Sequence, residues 1–484
     1  MSRETEERSA QGAAGSLLAA LGRTPLIAAA IGTYFAWWNL YHDEGFLFLP
    51  NYFNQVESCV ACYLGALLAC VIVAVLRVSW RRNIRGWITG LAIAQGVLSL
   101  LFYGAVFLHE AALVIIAQLL ISASFFVMLF FLVRALASLP LSQAGVLIAL
   151  SVGLYGLLES LVWAITMAAP FLSLRMALHL LLLGGGLLLA WNAPGCGDAG
   201  PVAKTPDDAG CFRIPAPLVL HVGAYWFVFG MTHALASGVI PIGHDKLLPC
   251  YLGSVAASLV FYFVFARGDR TERIWPRVRA AIFPLTMLSF LLLPFANSGF
   301  TFISIGFAQC AMDTYLAFYL LATLAVARKI GWGFMRTAIA AVLLAVPFIM
   351  CGVVAGDVLK VSLPLNALFY NVLTVLAFAL LVAGTFWVGD DRRAGLVWGL
   401  EKKLSPKRFE DEETAKRCAQ AAEKFDLTKR EGEILLFLAQ GMNAAAIAET
   451  EVISLNTART HIARIHRKMN VHNQQELLRR LKEL

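Results

Sequence analysis

Charge is scarce in this chain: Asp, Glu, Lys and Arg make up only 14% of its 484 residues, against 59% hydrophobic residues. A soluble multidomain protein carries about a quarter charged residues, so the composition excludes that class and points to an integral membrane protein. The net charge of +8 decides nothing further, because cytoplasmic loops of membrane proteins are themselves rich in Lys and Arg. Signatures of enzymatic chemistry are missing as well. No nucleophile-elbow, phosphate-loop or metal-ligand spacing occurs, so neither an enzyme nor a cofactor or metal is expected. The nine cysteines are scattered or sit in apolar runs, unlike a disulfide framework. Cys59 and Cys62 form a C-x-x-C, but with no His or further Cys nearby they read as small packing residues. The first ~20 residues are polar and rich in Ala and Gly, so no cleavable signal is expected.

What the chain does have is long apolar runs. A membrane-crossing helix needs about 20 mostly apolar residues, and about twelve segments meet that test. Their approximate spans are Thr24 to Leu40, Val56 to Leu76, Gly86 to Leu108, Ala111 to Val133, Gln143 to Met167 and Phe171 to Trp191. After a loop rich in Gly, Pro and Asp they resume at Ile214 to Val239, Leu247 to Ala266, Ala280 to Ala296, Phe300 to Ala327, Thr337 to Gly356 and Leu363 to Val388. Lys and Arg collect on the cytoplasmic side. The basic residues Arg77, Arg81, Arg82, Arg85, Arg134, Lys204, Arg213, Arg267, Arg270, Arg273, Arg277, Arg279, Arg328, Lys329 and Arg336 all follow even-numbered spans. Both termini are therefore expected in the cytoplasm, with a multi-pass domain in the inner membrane of a bacterium. The expected division is a tail at 1–23, a membrane domain at 24–389 with a central loop at 192–213, a charged linker at 390–424 and a C-terminal domain at 425–484. Basic clusters after the second and eighth spans hint at two six-helix halves. That arrangement resembles the major facilitator superfamily, which implies a 6+6 helix bundle; the RVSWRRNIRG stretch lacks the family's Gly and Asp pattern.

The last 60 or so residues carry a succession of helix-start signals. Thr428 and Glu431 form a capping box ahead of Ile434, Leu435 and Leu438, with Gly441 as the stop. Asn443 can cap a second helix that buries Ile447 and Ala448. Ser454 can cap a third with an inner stripe of Ala458, Ile462, Ile465 and Met469, and Asn473 with Glu476 opens a fourth bearing Leu477, Leu478 and Leu481. Short helices with a tight turn between the second and third make a helix-turn-helix. The fold class is thus all-α: a polytopic bundle followed by a four-helix module.

From Leu427 to about Leu478, LTKREGEILLFLAQGMNAAAIAE followed by ISLNTARTHIARIHRKMNVHN resembles the LuxR/GerE-type DNA-binding domain. The resemblance implies a partner, double-stranded promoter DNA, with the third helix in the major groove. It implies a base-facing set of Arg459, Thr460 and Ala463, where Arg459 can fork to guanine and the two methyl groups can meet thymine. Asn456, Thr457, Arg464, Arg467 and Lys468 are then expected to position the helix on phosphates. The fourth helix is the family's dimerisation element, which makes Leu477 and Leu481 candidates for a symmetric contact in a DNA-bound homodimer. The chain departs from the family pattern at Ala458, usually Val, at Arg459, often Lys, and at Gln474, often Arg.

Ionisable groups in mid-membrane are costly and usually face a cavity or a partner. Glu159 and Asp313 stand out, and the major facilitator resemblance places their helices around a central cavity. With Trp163, His221, Trp226, His233, Gln309 and Tyr315 they form a candidate site for a small organic ligand. The alternative reading is structural: Glu159 as a buried neutral acid or an ion-pair partner of Arg175, and the histidines as packing residues, with Arg175 snorkelling to the outer interface. Two functions remain open at this point, a membrane-embedded one-component regulator and a secondary transporter with an appended regulatory domain. A passive membrane anchor is a third.

Overall fold

The computed structural model describes residues 24–48, 55–75, 84–169, 171–193, 216–239, 244–266, 274–292, 300–330, 334–362, 367–387, 412–439, 442–451 and 453–482. The N-terminal tail, most of the central loop, the first part of the linker and most of the basic connections lie outside the described residues, as does Gly441. The chain divides into two compact units, Met1–Leu400 and Glu401–Leu484.

The first unit holds helices α1 (Pro25–Phe48), α2 (Gln55–Val75), α3 (Ile84–Phe107), α4 (Ala111–Ala137), α5 (Leu141–Ala168) and α6 (Leu172–Asn192). It continues with α7 (Ala216–Val239), α8 (His244–Ala266), α9 (Ile274–Leu292), α10 (Phe300–Ile330), α11 (Phe334–Ser362) and α12 (Ala367–Trp387). Each expected span overlaps one of these helices. Seven of them, α2 to α6, α10 and α11, are long and apolar enough over their described residues to cross a membrane. Helix ends run past the hydropathy limits, as where α1 continues to Phe48. Hydropathy reports the solvent, whereas the backbone stays helical for as long as its own hydrogen bonds are the best available.

The halves are visible in the packing. In the first six helices the neighbours include α1 with α5 and α6, α2 with α4, α3 with α4, and α3 with α6. Adding six to each label gives the neighbours of the second half: α7 with α11 and α12, α8 with α10, α9 with α10, and α9 with α12. The halves meet where α5 packs on α8 and α2 packs on α11, two contacts that the same shift exchanges. A sequence echo accompanies the repeat. Gly32, Tyr34, Phe35 and Trp38 on α1 are matched by Gly223, Tyr225, Trp226 and Phe229 on α7. Each glycine sits at the crossing with the equivalent partner: a methyl on Gly32 would lie 2.7 Å from the Ser151 carbonyl of α5, and one on Gly223 2.7 Å from the Phe348 ring of α11.

Apolar helices in lipid gain no hydrophobic drive from touching each other, so close backbone packing must supply the association. The α7–α11 crossing shows the limit of this. A methyl on Gly230 would stand 2.3 Å from the Ile349 carbonyl oxygen, and one on Gly352 2.1 Å from that of Phe227. Cys59, buried on α2, packs with Ala234 and Val353 of the same pair of helices.

The second unit contains α13 (Glu412–Lys424), α14 (Lys429–Ala439), α15 (Ala444–Glu451), α16 (Leu455–Met469) and α17 (Gln474–Lys482). Its core is built from Cys418, Ala421, Ile434, Leu435, Leu438, Ile447, Ala458, Ile465, Met469, Leu477 and Leu481. The compact unit therefore begins ahead of the expected boundary at 425. The end of the linker is an amphipathic helix that packs on α14 and α17 and places Cys418 and Ala421 in the core. Its dense alternation of charges concealed a narrow apolar stripe.

Gly230→Ala should destabilise the detergent-purified protein by about 1–3 kcal/mol through overpacking. Gly185→Ala, on α6 where an added methyl meets nothing within 4 Å, should leave the thermal midpoint unchanged or raise it. Equal behaviour of the two variants would show that the close crossing is no constraint.

Candidate functional site

The helix-turn-helix is α15 and α16. Ser454 ends the turn with φ −64° and ψ 149°, and its hydroxyl accepts the Thr457 amide at 3.0 Å, so α16 begins with a satisfied cap. The inner stripe of α16, Ala458, Ile465 and Met469, is buried. The opposite face is exposed along its length: Asn456, Thr457, Arg459, Thr460, Ala463, Arg464 and Arg467. α16 carries no acidic residue, so this face offers an uncompensated row of guanidinium groups. The Thr460 hydroxyl donates to the Asn456 carbonyl at 2.8 Å, which occupies the polar end and leaves the methyl as the outward group beside Arg459 and Ala463. A forked donor next to two small apolar groups is chemistry that can read base edges in a major groove.

Local hydrogen bonds hold this face in place. Thr428 and Glu431 form a reciprocal capping box at the start of α14: the Glu431 amide donates to Thr428 Oγ1 at 3.3 Å, and the Thr428 amide donates to Glu431 Oε2 at 2.9 Å. Asn443 Oδ1 accepts the Ala446 amide at 2.9 Å, and Asn473 Oδ1 accepts the Glu476 amide at 2.8 Å. Asn470 closes α16 in the left-handed region at φ 52°. Arg430 ties α14 to α15 through Glu451 at 2.5 Å. Gln474, where the family often has Arg, donates to the Leu438 and Met442 carbonyls at 3.0 and 3.1 Å. Its work is to satisfy the end of α14, not to meet a phosphate.

Two expectations are corrected here. Leu477 and Leu481 are 0% and 4% exposed and belong to the core of the unit itself, so neither is available for a symmetric contact. The exposed side of α17 carries Gln475, Arg479 and Arg480 instead. Lys468 is turned into the domain: its ammonium donates to Glu431 Oε2 at 2.8 Å and to the Asp426 carbonyl at 2.7 Å. That ammonium and the Thr428 amide hold the Glu431 carboxyl down from its ordinary 4.5 to about 2. Burial depresses His466, with Glu476 opposing the shift.

In the first unit one cluster of polar groups lies where the halves meet. Asp313, on α10, collects donors on Oδ2: Ser254 Oγ of α8 at 2.6 Å, Gln309 Nε2 at 3.1 Å, and the Tyr155 hydroxyl of α5. Tyr155 also lies 2.8 Å from Ser254 Oγ. One turn further along α5, Glu159 Oε1 accepts from Asn39 Nδ2 of α1 at 2.8 Å. His221 and Trp226 of α7 pack around the Tyr315 ring, at 6.1 and 5.6 Å between centroids, while Tyr225 stacks on it at 4.8 Å. Trp163 and His233 lie half-buried on α5 and α7. Arg175 is buried, 6% exposed, and does not snorkel outward. The expected residues thus fall into an acidic group and an aromatic group. Sequence reasoning missed Tyr155, Ser254 and Asn39. Tyr155 was discoverable from its position four residues before Glu159 on one helix face; a serine inside an apolar run gives no such signal.

The sequence pattern of the bacterial regulatory proteins of the luxR family matches residues 426–481, which covers α14 to α17. Residues 426–481 of the C-terminal unit are a LuxR-type helix-turn-helix domain. No curated protein matches the chain. Among solved structures, the human organic anion transporter MFSD10 (TETRAN) superposes with a TM-score of 0.51 at 13% identity, over 76% of this chain and 98% of the transporter. The Escherichia coli fucose:proton symporter FucP, as a variant, gives 0.45 at 13% identity over 76% and 98%. At this identity the likeness to MFSD10 is one of fold, and it gives the N-terminal unit a major facilitator-like architecture.

Glu431 supplies an acid-stability test. A carboxyl with a lowered folded-state pKa stabilises above its ordinary value and loses that contribution as pH falls. The wild-type DNA-binding unit should lose thermal stability between pH 4.5 and about 2, measured by circular dichroism. Glu431→Gln should start lower and flatten that part of the profile. Thr428→Ala should cost about 1 kcal/mol at neutral pH.

Proposed function

We propose that the protein is a membrane-embedded one-component transcription regulator, which senses a small molecule in its helix bundle and binds promoter DNA through α16. The observation that carries this reading is the exposed, acid-free face of α16 in a chain whose remaining unit is an apolar bundle. Arg459, Thr460 and Ala463 read base edges. Asn456, Thr457, Arg464 and Arg467 place the helix on phosphates. Two copies bind paired half-sites, as the resemblance to LuxR-type domains implies. The bulk of the basic loop residues keeps both termini in the bacterial cytoplasm, where DNA is reached.

The sensing end is the boundary between the six-helix halves. Asp313 joins residues of α5, α8 and α10, so a ligand that competes for its donors would favour one arrangement of the halves over another. Such coupling requires different ligand affinity in the two states. The Glu159–Asn39 pair and the aromatic group around Tyr315 supply polar and π-face contacts for a small organic ligand. The major facilitator-like fold also suits a second reading, an active transporter whose appended domain is regulatory. Gradient-driven uptake into vesicles containing the purified protein would favour transport, while ligand-dependent reporter output without uptake favours sensing.

Arg459→Ala in the full-length protein should cost about 1–3 kcal/mol of discrimination at one base position. Arg464→Ala or Arg467→Ala should weaken binding to every duplex alike and lower the salt slope by about 0.9. Fluorescence anisotropy against selected and random duplexes over a salt series separates the two classes. A wild-type protein with no preference for any sequence would falsify the DNA-reading role. In cells, Asp313→Asn should change the ligand response of a promoter reporter and leave membrane insertion intact; an unaltered dose–response curve would dispose of the sensing site.

A further inference from the structure

The last turn of α16 is fastened by a contact that groove reading does not use. One ammonium, that of Lys468, meets the Asp426 carbonyl at 2.7 Å and Glu431 Oε2 at 2.8 Å. Asp426 stands in the left-handed region at φ 48°, between α13 and α14. Glu431 is 3% exposed, and the same oxygen accepts the Thr428 amide that caps α14. Three elements therefore converge on one side chain: the end of α13, the start of α14 and the far end of the DNA-reading helix. Drawing Lys468 away to a phosphate would strip a buried carboxylate of its cation, and an uncompensated buried charge is expensive.

We infer that Lys468 is a positioning residue that sets the angle of α16 against the α13–α14 junction, and that phosphate contact is not its role. The inference rests on the DNA-binding reading above. α13 is the first described helix of the second unit, so the clasp is also where a displacement of α13 would reach α16. Arg464 and Arg467, exposed on the same helix, supply the electrostatic attraction; Lys468 supplies register.

The test uses the full-length protein in lipid nanodiscs, with a duplex enriched from a randomised library by the wild type and a random duplex as reference. Lys468→Gln should reduce the preference for the enriched duplex about tenfold, the scale of one lost charge-assisted hydrogen bond. Affinity for random duplex and its salt slope should stay at wild-type values, which a merely unfolded domain would not do. Glu431→Gln should reproduce the effect, the double variant should lose no more than either single one, and Lys468→Arg should keep the preference. A fall in the salt slope of about 0.9 on Lys468→Gln, with Glu431→Gln silent, would overturn the inference in favour of a phosphate contact. So would a Lys468→Arg variant that behaves like Lys468→Gln. If the wild type enriches no sequence at all, the DNA-binding reading falls and this inference falls with it.

Discussion

Backbone amides and carbonyls that enter hydrocarbon must be satisfied within the chain, because the lipid interior offers no water to replace a missing partner. That constraint shapes the N-terminal unit before any side chain is considered. It makes each spanning segment a helix, and it leaves helix association to close packing and a few polar contacts. Glycines at the α1–α5 and α7–α11 crossings meet the first need, and the Asp313 cluster meets the second. The same cost of an unpaired polar atom explains why Asp313 and Glu159 have donors drawn from other helices.

The two halves share a packing plan but differ at one telling place. Between α1 and α5 the close approach of Gly32 to the Ser151 carbonyl is joined by a hydrogen-bonded pair, Asn39 and Glu159. Between α7 and α11 bare glycine backbone lies against carbonyl oxygens, with no space for a methyl. A crossing of that second kind has a narrow energy minimum, since any displacement loses dispersion contacts or meets a carbonyl. A polar pair can exchange one partner for another. Polar contacts of that exchangeable kind also cross the boundary between the halves, where Tyr155, Ser254 and Asp313 meet.

The C-terminal unit solves a different problem, that of holding a polar face rigid on a small core. Short helices in water are marginal by themselves, and caps plus packing decide whether they persist. Four side-chain caps, at Thr428, Asn443, Ser454 and Asn473, close the helix starts. Gln474 satisfies carbonyls at the end of α14. Lys468 gathers what remains at the junction of α13, α14 and α16. The outward face of α16 is thereby largely freed from structural duty, apart from the Thr460 hydroxyl's bond to its own helix and the 2.8 Å contact between the Thr457 and Ser454 hydroxyls.

Helices, caps and the two-part division were legible in the amino-acid sequence, because each depends on local chemistry: runs of apolar residues, a Ser, Thr or Asn at the right offset, a change of composition after Val388. The exposed set on α16 was legible too, since a helix with one apolar stripe has only one way to turn. What tertiary structure alone decided were the partners that distant segments supply. Leu477 and Leu481 turned inward because α13 and α14 needed a surface to cover. Lys468 turned inward because Glu431, 37 residues away in the chain, offered a buried carboxylate. Asp313 found Tyr155 across the boundary between the halves for the same reason: a buried polar group takes whichever partner the fold brings within reach, and sequence spacing holds no record of that distance.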